Sequence, residues 1–334
     1  MIHLSARGIR ALWERGCGHL PELVIDGVPV LHAAPWRDEA AGQADPSIPL
    51  VDRRLGGTFA CAPFGADDVD NGPPHGLSAN APWSVARQTP SSLTAQRAIA
   101  RGQITATITL RDDHPVLYQT HILDLDAPCT FAHHPMIRLA AGGCLSTAPV
   151  HRALTFPKPE NPGTDFYARG QIASGFMLES RDGRHDLRDY PAVDCEDFVA
   201  LIHQPGLAWT AIARAGEGDT ILMLKRSEQL PLTCLWISNR GRHHEPWNGR
   251  HAGVLGIEDA RCAGAEGFAA ALSGDSMVDG VPLTFAPGRH VIPHAILRLP
   301  GRHAVTGVTP RADLLEVKTE ADTLTLPFDG SHFL

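Results

Sequence analysis

Three positions in this chain stand where an imidazole or a carboxylate could move a proton. His75 lies in Gly72-Pro73-Pro74-His75-Gly76-Leu77-Ser78-Ala79-Asn80-Ala81-Pro82-Trp83. Two prolines before it and a glycine after it fix a rigid turn, which can hold the ring toward a cleft or serve only local backbone groups. His133-His134-Pro135 closes a strand-like run that ends in Phe131. The proline keeps His134 extended, so one ring of the pair is expected to face inward and the other outward. An inward imidazole needs a hydrogen-bond partner, and a near-neutral pKa would suit it to donate a proton; a structural histidine pair is the plainer alternative. Glu258 follows the apolar run Val254-Leu255-Gly256-Ile257 and precedes Asp259. There it is either a solvated strand end or, if buried, a general base with a raised pKa.

Around these positions lie groups suited to a polyhydroxylated ligand. Leu235-Trp236-Ile237-Ser238-Asn239 and Pro246-Trp247-Asn248-Gly249-Arg250 supply aromatics, amides and a guanidinium. An indole face stacks on the C–H face of a sugar ring while amides and Arg bind its hydroxyls, although at least one of the two tryptophans is expected to fill core. His243, His244 and His251 with Glu245 could hold a metal, or could be solvated in their Gly- and Pro-containing loop. There is no G-x-G-x-x-G, no G-x-x-x-x-G-K-[ST], no G-x-S-x-G and no H-E-x-x-H, which removes the commonest nucleotide-binding and hydrolase classes.

The elements that must carry these side chains read as strands. In Gln103–Leu110 the residues Ile104, Ala106, Ile108 and Leu110 share one face and the threonines take the other. Val116–Leu125, Thr220–Lys225, Leu232–Ser238 and His294–Leu299 are similarly short and β-branched or apolar. Helical periodicity is scarce, and Ala6–Cys17 is its best candidate. Turn signals recur at Asp26-Gly27, Asn71-Gly72-Pro73-Pro74, Asp182-Gly183, Asp279-Gly280 and Pro287-Gly288. The pattern predicts an all-β protein, a large β-sandwich forming one domain over residues 1–334. The Pro157–Pro162 stretch is expected to be a surface loop rather than a linker.

Composition narrows the function classes. The chain has 334 residues, 43% of them hydrophobic, enough for a large core. Its 29 basic and 37 acidic residues give a net charge of −8, and no Lys/Arg stripe is present to meet a phosphate backbone, so nucleic acid is not an expected partner. No run approaches the roughly 18 apolar residues of a membrane span, and Met1–Arg7 does not read as a secretory signal. The seven cysteines are odd in number and scattered, with no C-x-x-C. They read as reduced core thiols of a cytoplasmic protein.

Taken in order, several segments resemble the aldose 1-epimerase (galactose mutarotase-like) superfamily. Gly56-Gly57-Thr58-Phe59-Ala60-Cys61-Ala62-Pro63-Phe64-Gly65 is similar to its Gly-Gly … Pro-(Trp/Phe)-x-Gly strand and turn. His75-Gly76 with Asn80-x-Pro82-Trp83 resembles its His-Gly-Phe-Ala-Arg-Asn-x-x-Trp segment. Phe131-Ala132-His133-His134-Pro135-Met136 resembles the segment of the catalytic histidine, and Gly256-Ile257-Glu258-Asp259 that of the catalytic glutamate. Asp279–Gly288 resembles the closing strands, and the likeness spans roughly residues 20–300.

The resemblance implies a β-sandwich enzyme that interconverts sugar anomers by ring opening. It implies Glu258 as the base at the anomeric hydroxyl, His134 as the acid at the ring oxygen, and His75 as a substrate ligand near that oxygen. Asn80, Asp197 (chosen over Asp194), Trp236 and Arg250 are the further expected substrate contacts. No metal or organic cofactor is implied. The partner is a small carbohydrate, and a homodimer stays open. Ala79 and Leu55 replace two arginines of sugar-phosphate-binding members, which favours a non-phosphorylated sugar. Asp259 in place of Pro, and Met136-Ile137 in place of an aromatic pair, are further departures. A carbohydrate-binding protein that has lost catalysis is the alternative on the same fold, and a polysaccharide-cleaving sandwich is a more distant one.

Overall fold

A computed structural model describes residues 1–333. Strand accounts for about 48% of the chain and helix for 8%, so the protein is all-β. Two eight-stranded antiparallel sheets face each other. The front sheet runs Ile172–Ala173, Val150–Thr155, Cys195–His203, Leu232–Asn239, Val254–Arg261, Phe131–His133, Ala60–Cys61, with Met136–Arg138 paired beside Phe131–His133 on Val254–Arg261. The back sheet runs Gly143–Thr147, Leu207–Arg214, Asp219–Arg226, Gly288–Pro300, Val116–Leu125, Gly102–Thr109, Ser92–Ile99, Ser84–Gln88. The period-two reading holds in both: Ile104, Ala106 and Ile108 are buried together against Leu235, Ile237, Leu255 and Ile257 of the front sheet.

Ala6–Cys17 is not a helix. Ile2–Ala6 and Ile9–Glu14 form an antiparallel hairpin that turns at Arg7-Gly8. Ile9, Ala11 and Trp13 are buried on one side of it while Arg10 is exposed. Over so few residues this alternation and a helical stripe are hard to tell apart, and the tertiary contacts of Trp13 decide between them.

The space between the sheets holds a polar island as well as aliphatic side chains. Lys225 Nζ lies 2.8 Å from Asp259 Oδ1 and donates to Thr233 Oγ1 at 2.7 Å. His294 Nε2 is 3.0 Å from Asp259 Oδ2, and its ring stacks on His133 at 4.3 Å. His133 Nε2 in turn meets His121 Nδ1 at 2.9 Å. Lys225, His294 and His121 come from the back sheet, Asp259, Thr233 and His133 from the front, so the island ties the two layers.

The outer face of the back sheet is covered as well. A three-stranded sheet, Val305–Pro310, Leu314–Thr319 and Thr323–Pro327, together with Phe328 and Phe333, packs Leu315 and Val317 onto Val116, Leu222, Leu224, Leu297 and Leu299. A sheet buried on both faces explains why Thr220–Lys225 reads as an almost unbroken apolar run. All seven cysteines are free, and Cys144 is exposed rather than in the core. Among the described residues no helix is long and apolar enough to cross a membrane.

Candidate active site

The front face of the front sheet opens into a cavity of about 310 Å³. Strand alternation selects its contents. On Val254–Arg261 the residues Leu255, Ile257 and Asp259 face the back sheet, so Glu258 faces the cavity. His133 pairs with Asp259 across the sheet, and His134, one residue on, turns to the cavity side beside Glu258. Neither imidazole of the pair faces solvent: His133 and His134 are both buried, on opposite faces of one sheet. The outward ring expected from the sequence instead meets the second layer.

His134 Nε2 lies 3.0 Å from Glu258 Oε1. The imidazole is clamped: it stacks on Phe59 at 4.4 Å and meets His75 at 5.1 Å and Trp236 at 5.6 Å edge-on. Gly256 leaves room for the carboxylate, because a Cβ there would stand 2.8 Å from Glu258 Oε1. Burial, then Glu160, pushes Glu258 well above the usual carboxyl range. Burial, then neighbouring His75, pushes His134 well below the usual imidazole range, so it does not have the near-neutral pKa expected from the sequence. Both shifts favour an uncharged pair with one proton between Nε2 and Oε1.

His75 occupies the turn the prolines predict, in a left-handed conformation at φ +62°, and caps the short helix Gly76–Asn80. Gly76 is required there: its φ is +67°, and a Cβ would come within 2.1 Å of the Ala62 carbonyl oxygen. The Gly65 backbone N–H donates to His75 Nδ1 at 3.3 Å, which leaves the ring proton on Nε2. Burial lowers the His75 pKa to about 4, so the ring is neutral and a single donor.

Trp236 and Trp247 both line the cavity, with Phe59, Phe64 and Phe198. Trp236 Nε1 donates to Glu196 Oε1 at 2.7 Å, and its ring stacks on His251 at 5.3 Å. Arg242 lies over Trp247 at 4.5 Å and Trp236 at 5.4 Å, pairs with Glu160, and approaches Glu196 Oε1 at 2.9 Å. Asp52 adds a further carboxylate to the lining.

Of the residues expected from the sequence, the cavity therefore gathers Glu258, His134, His75 and Trp236. The other three are elsewhere. Asn80 braces the scaffold: its Oδ1 accepts from Val51 N, and its Nδ2 donates to the Pro74 and Gly76 carbonyls. Asp197 shares its face with Val199 and Leu201, away from the cavity, and accepts from Phe166 N at 2.6 Å; on that strand the even residues Glu196 and Phe198 turn to the cavity side. Arg250 is exposed, pairs with Glu39 at 2.9 Å and lies over Trp36. His243, His244 and Glu245 are exposed whereas His251 is enclosed by Trp236, Trp247 and His32, so they do not converge. Among the described residues no group of three or more His, Cys, Asp or Glu is arranged to hold a metal ion.

Asp52, Glu160 and Arg242 were not singled out from the sequence. Glu160 lies in Pro157–Pro162, which reads as a plain surface loop, and Asp52 in a four-residue helix. Arg242 carried the better signal, a basic residue between two tryptophans of one candidate sugar site.

No family model matches this chain, and no curated protein matches it. Solved structures do. A candidate aldose 1-epimerase from Escherichia coli K12 aligns with a TM-score of 0.62 at 14% identity, covering 89% of this chain and 97% of that one. An aldose epimerase homologue from C. elegans gives 0.59 at 13% identity over 90% and 99%. A galactose mutarotase related enzyme from Lactobacillus acidophilus gives 0.57 at 11% identity over 90% and 98%. At such identities the likeness is one of architecture, and this chain has the galactose mutarotase-like fold.

Proposed function

We propose that the protein is an aldose 1-epimerase-like enzyme that interconverts the anomers of a non-phosphorylated sugar by acid–base ring opening. The observation that carries this reading is the 3.0 Å approach of His134 Nε2 to Glu258 Oε1 inside an aromatic-walled cavity. Its volume falls at the small end of the range of about 300–1,000 Å³ typical of small-molecule sites.

Opening a cyclic hemiacetal removes a proton from the anomeric hydroxyl and delivers one to the ring oxygen. With its proton on Nε2, the pair becomes an imidazolium and a carboxylate, the donor and acceptor those two oxygens need. Moving that proton leaves the net charge of the pair unchanged. The sugar oxygens replace the mutual contact, Glu258 takes the anomeric proton, and His134 protonates the ring oxygen. The C1–O bond to the ring breaks, C1 becomes an aldehyde, and rotation about C1–C2 before closure gives the other anomer. His75 donates from Nε2 toward the ring oxygen, and Trp236 or Trp247 offers a face to the sugar's C–H groups. Each proton transfer contributes on the order of 10²–10⁴-fold.

Polarimetry or exchange NMR on a panel of unphosphorylated aldoses tests this. The wild-type protein is expected to accelerate equilibration of at least one, and Glu258→Gln to lose about 10²-fold or more of that rate. Equal rates for the two proteins across the panel would refute it. The neutral resting pair also suits a binding protein without turnover. Calorimetry separates the two readings, since that protein binds a sugar without accelerating its equilibration.

A further inference from the structure

The cavity carries more negative than positive charge. Arg242 is the cationic side chain in its lining, and it is already engaged by Glu160 and Glu196. Asp52 enters from the helix Leu50–Arg53, and among the described residues no protein donor reaches its carboxylate; burial, opposed by Arg242 and aided by Glu160, raises it to about 6, so it is ionised at neutral pH. Glu258 and His134 share one proton and add no net charge. Two carboxylates of the lining, Asp52 and Glu160, thus face one guanidinium whose other side is held by the buried Glu196, in a partly enclosed, aromatic-walled space.

A neutral hydroxyl could donate to Asp52 but would leave the charge uncompensated. A carboxylate or phosphate on the sugar would meet like charge, with the guanidinium already occupied. An ammonium has three donors and no acceptor, matches a carboxylate that has no donor, and is favoured beside indole faces.

Resting on the sugar-site reading above, we infer that the substrate is an amino sugar, an aldose whose ammonium lies against Asp52 and Glu160 while its anomeric centre meets His134 and Glu258. Calorimetry on the full-length protein at neutral pH tests this with gluco-, galacto- and manno-configured 2-amino-2-deoxyhexoses. Each is compared with its parent hexose and its N-acetyl derivative, and glucuronate serves as the anionic control. At least one amino sugar is expected to bind about tenfold or more tighter than both its parent and its N-acetyl form, with glucuronate not bound. Asp52→Asn should bring that ratio near one, and half-molar salt should shrink it in the wild-type protein, a readout independent of how the variant folds.

Parent hexoses bound or equilibrated as well as their amino forms would overturn this inference and leave the sugar-site reading standing. A preference unmoved by both Asp52→Asn and salt would overturn it too. If no sugar binds and none is equilibrated faster, both readings fall together.

Discussion

At the scale of single residues, the site depends on which way each side chain points. His75 has one ring proton, on Nε2, because Gly65 N–H occupies Nδ1. Replacing His75 by Asn, which is too short to reach as far, removes one neutral hydrogen bond to substrate. A bond of that kind is worth about 0.5–1.5 kcal/mol. Steady-state mutarotation kinetics should show KM rising roughly 2- to 12-fold with kcat much less changed. The same scale shows what was legible in the sequence. His134, Glu258 and His75 carried local signatures, a proline after one, a glycine two residues before another, two prolines ahead of the third. Asp197 and Glu196 are adjacent carboxylates on one strand, and choosing between them requires the register of that strand against its neighbours, which no local pattern encodes. Asn80 and Arg250 have side chains able to bind a sugar, but the structure uses them to brace a turn and to pair with Glu39.

At the scale of elements, Val254–Arg261 bears on both faces at once. Toward the cavity, Gly256 gives Glu258 its space. Gly256→Ala crowds the far end of Glu258, with Trp236 Cβ also 3.0 Å away, and should lower kcat about 10- to 100-fold by displacing the carboxylate. An unchanged kcat in a variant with wild-type circular dichroism would show that Glu258 tolerates the displacement. Toward the back sheet, Asp259 holds Lys225. Lys225→Met alone leaves a buried carboxylate without its cation and should cost about 3–5 kcal/mol in urea unfolding. Adding Asp259→Leu should recover much of that loss, since an apolar pair of similar volume is often as stable as a buried ion pair. The strands of this region were readable from alternation, whereas the hairpin at Ile2–Glu14 was not, because two short strands and a turn can imitate a helical stripe. The polar island was also hidden, since His, Lys and Asp within a strand read as positions turned toward water.

At the scale of the whole molecule, buried histidines set the response to acid. Burial lowers His19 and His121 to about 3 and His32 and His75 to about 4, and pushes His133, His134, His203 and His251 well down. A histidine whose folded pKa lies below its unfolded value of about 6.5 binds its proton more readily in the unfolded chain. Its contribution is therefore complete above about pH 6.5 and is lost as the pH falls toward the folded value, at about 1.4 kcal/mol per pH unit for each ring. Asp52, Glu196, Asp197 and Glu258 are raised and act in the opposite sense, but they are fewer. Urea midpoints should accordingly fall steeply from pH 6.5 to pH 4.5 at constant m. A midpoint that holds or rises over that interval would mean that the histidines are hydrated in solution. The layered all-β plan itself was legible in the sequence. The cover formed by the C-terminal sheet is not legible in the same way, because it rests on the outer face of a sheet assembled from strands as far apart as Val116–Leu125 and Gly288–Pro300.

One strand junction joins these scales. His133 and Asp259 fasten the two layers together, and their immediate neighbours His134 and Glu258 reach the other way, so the gap across which a proton would hop is anchored to the spacing of the sandwich itself. Whatever loosens the interior, whether heat, pressure or an overcut side chain far from the pocket, would reach the chemistry before it reaches the fold.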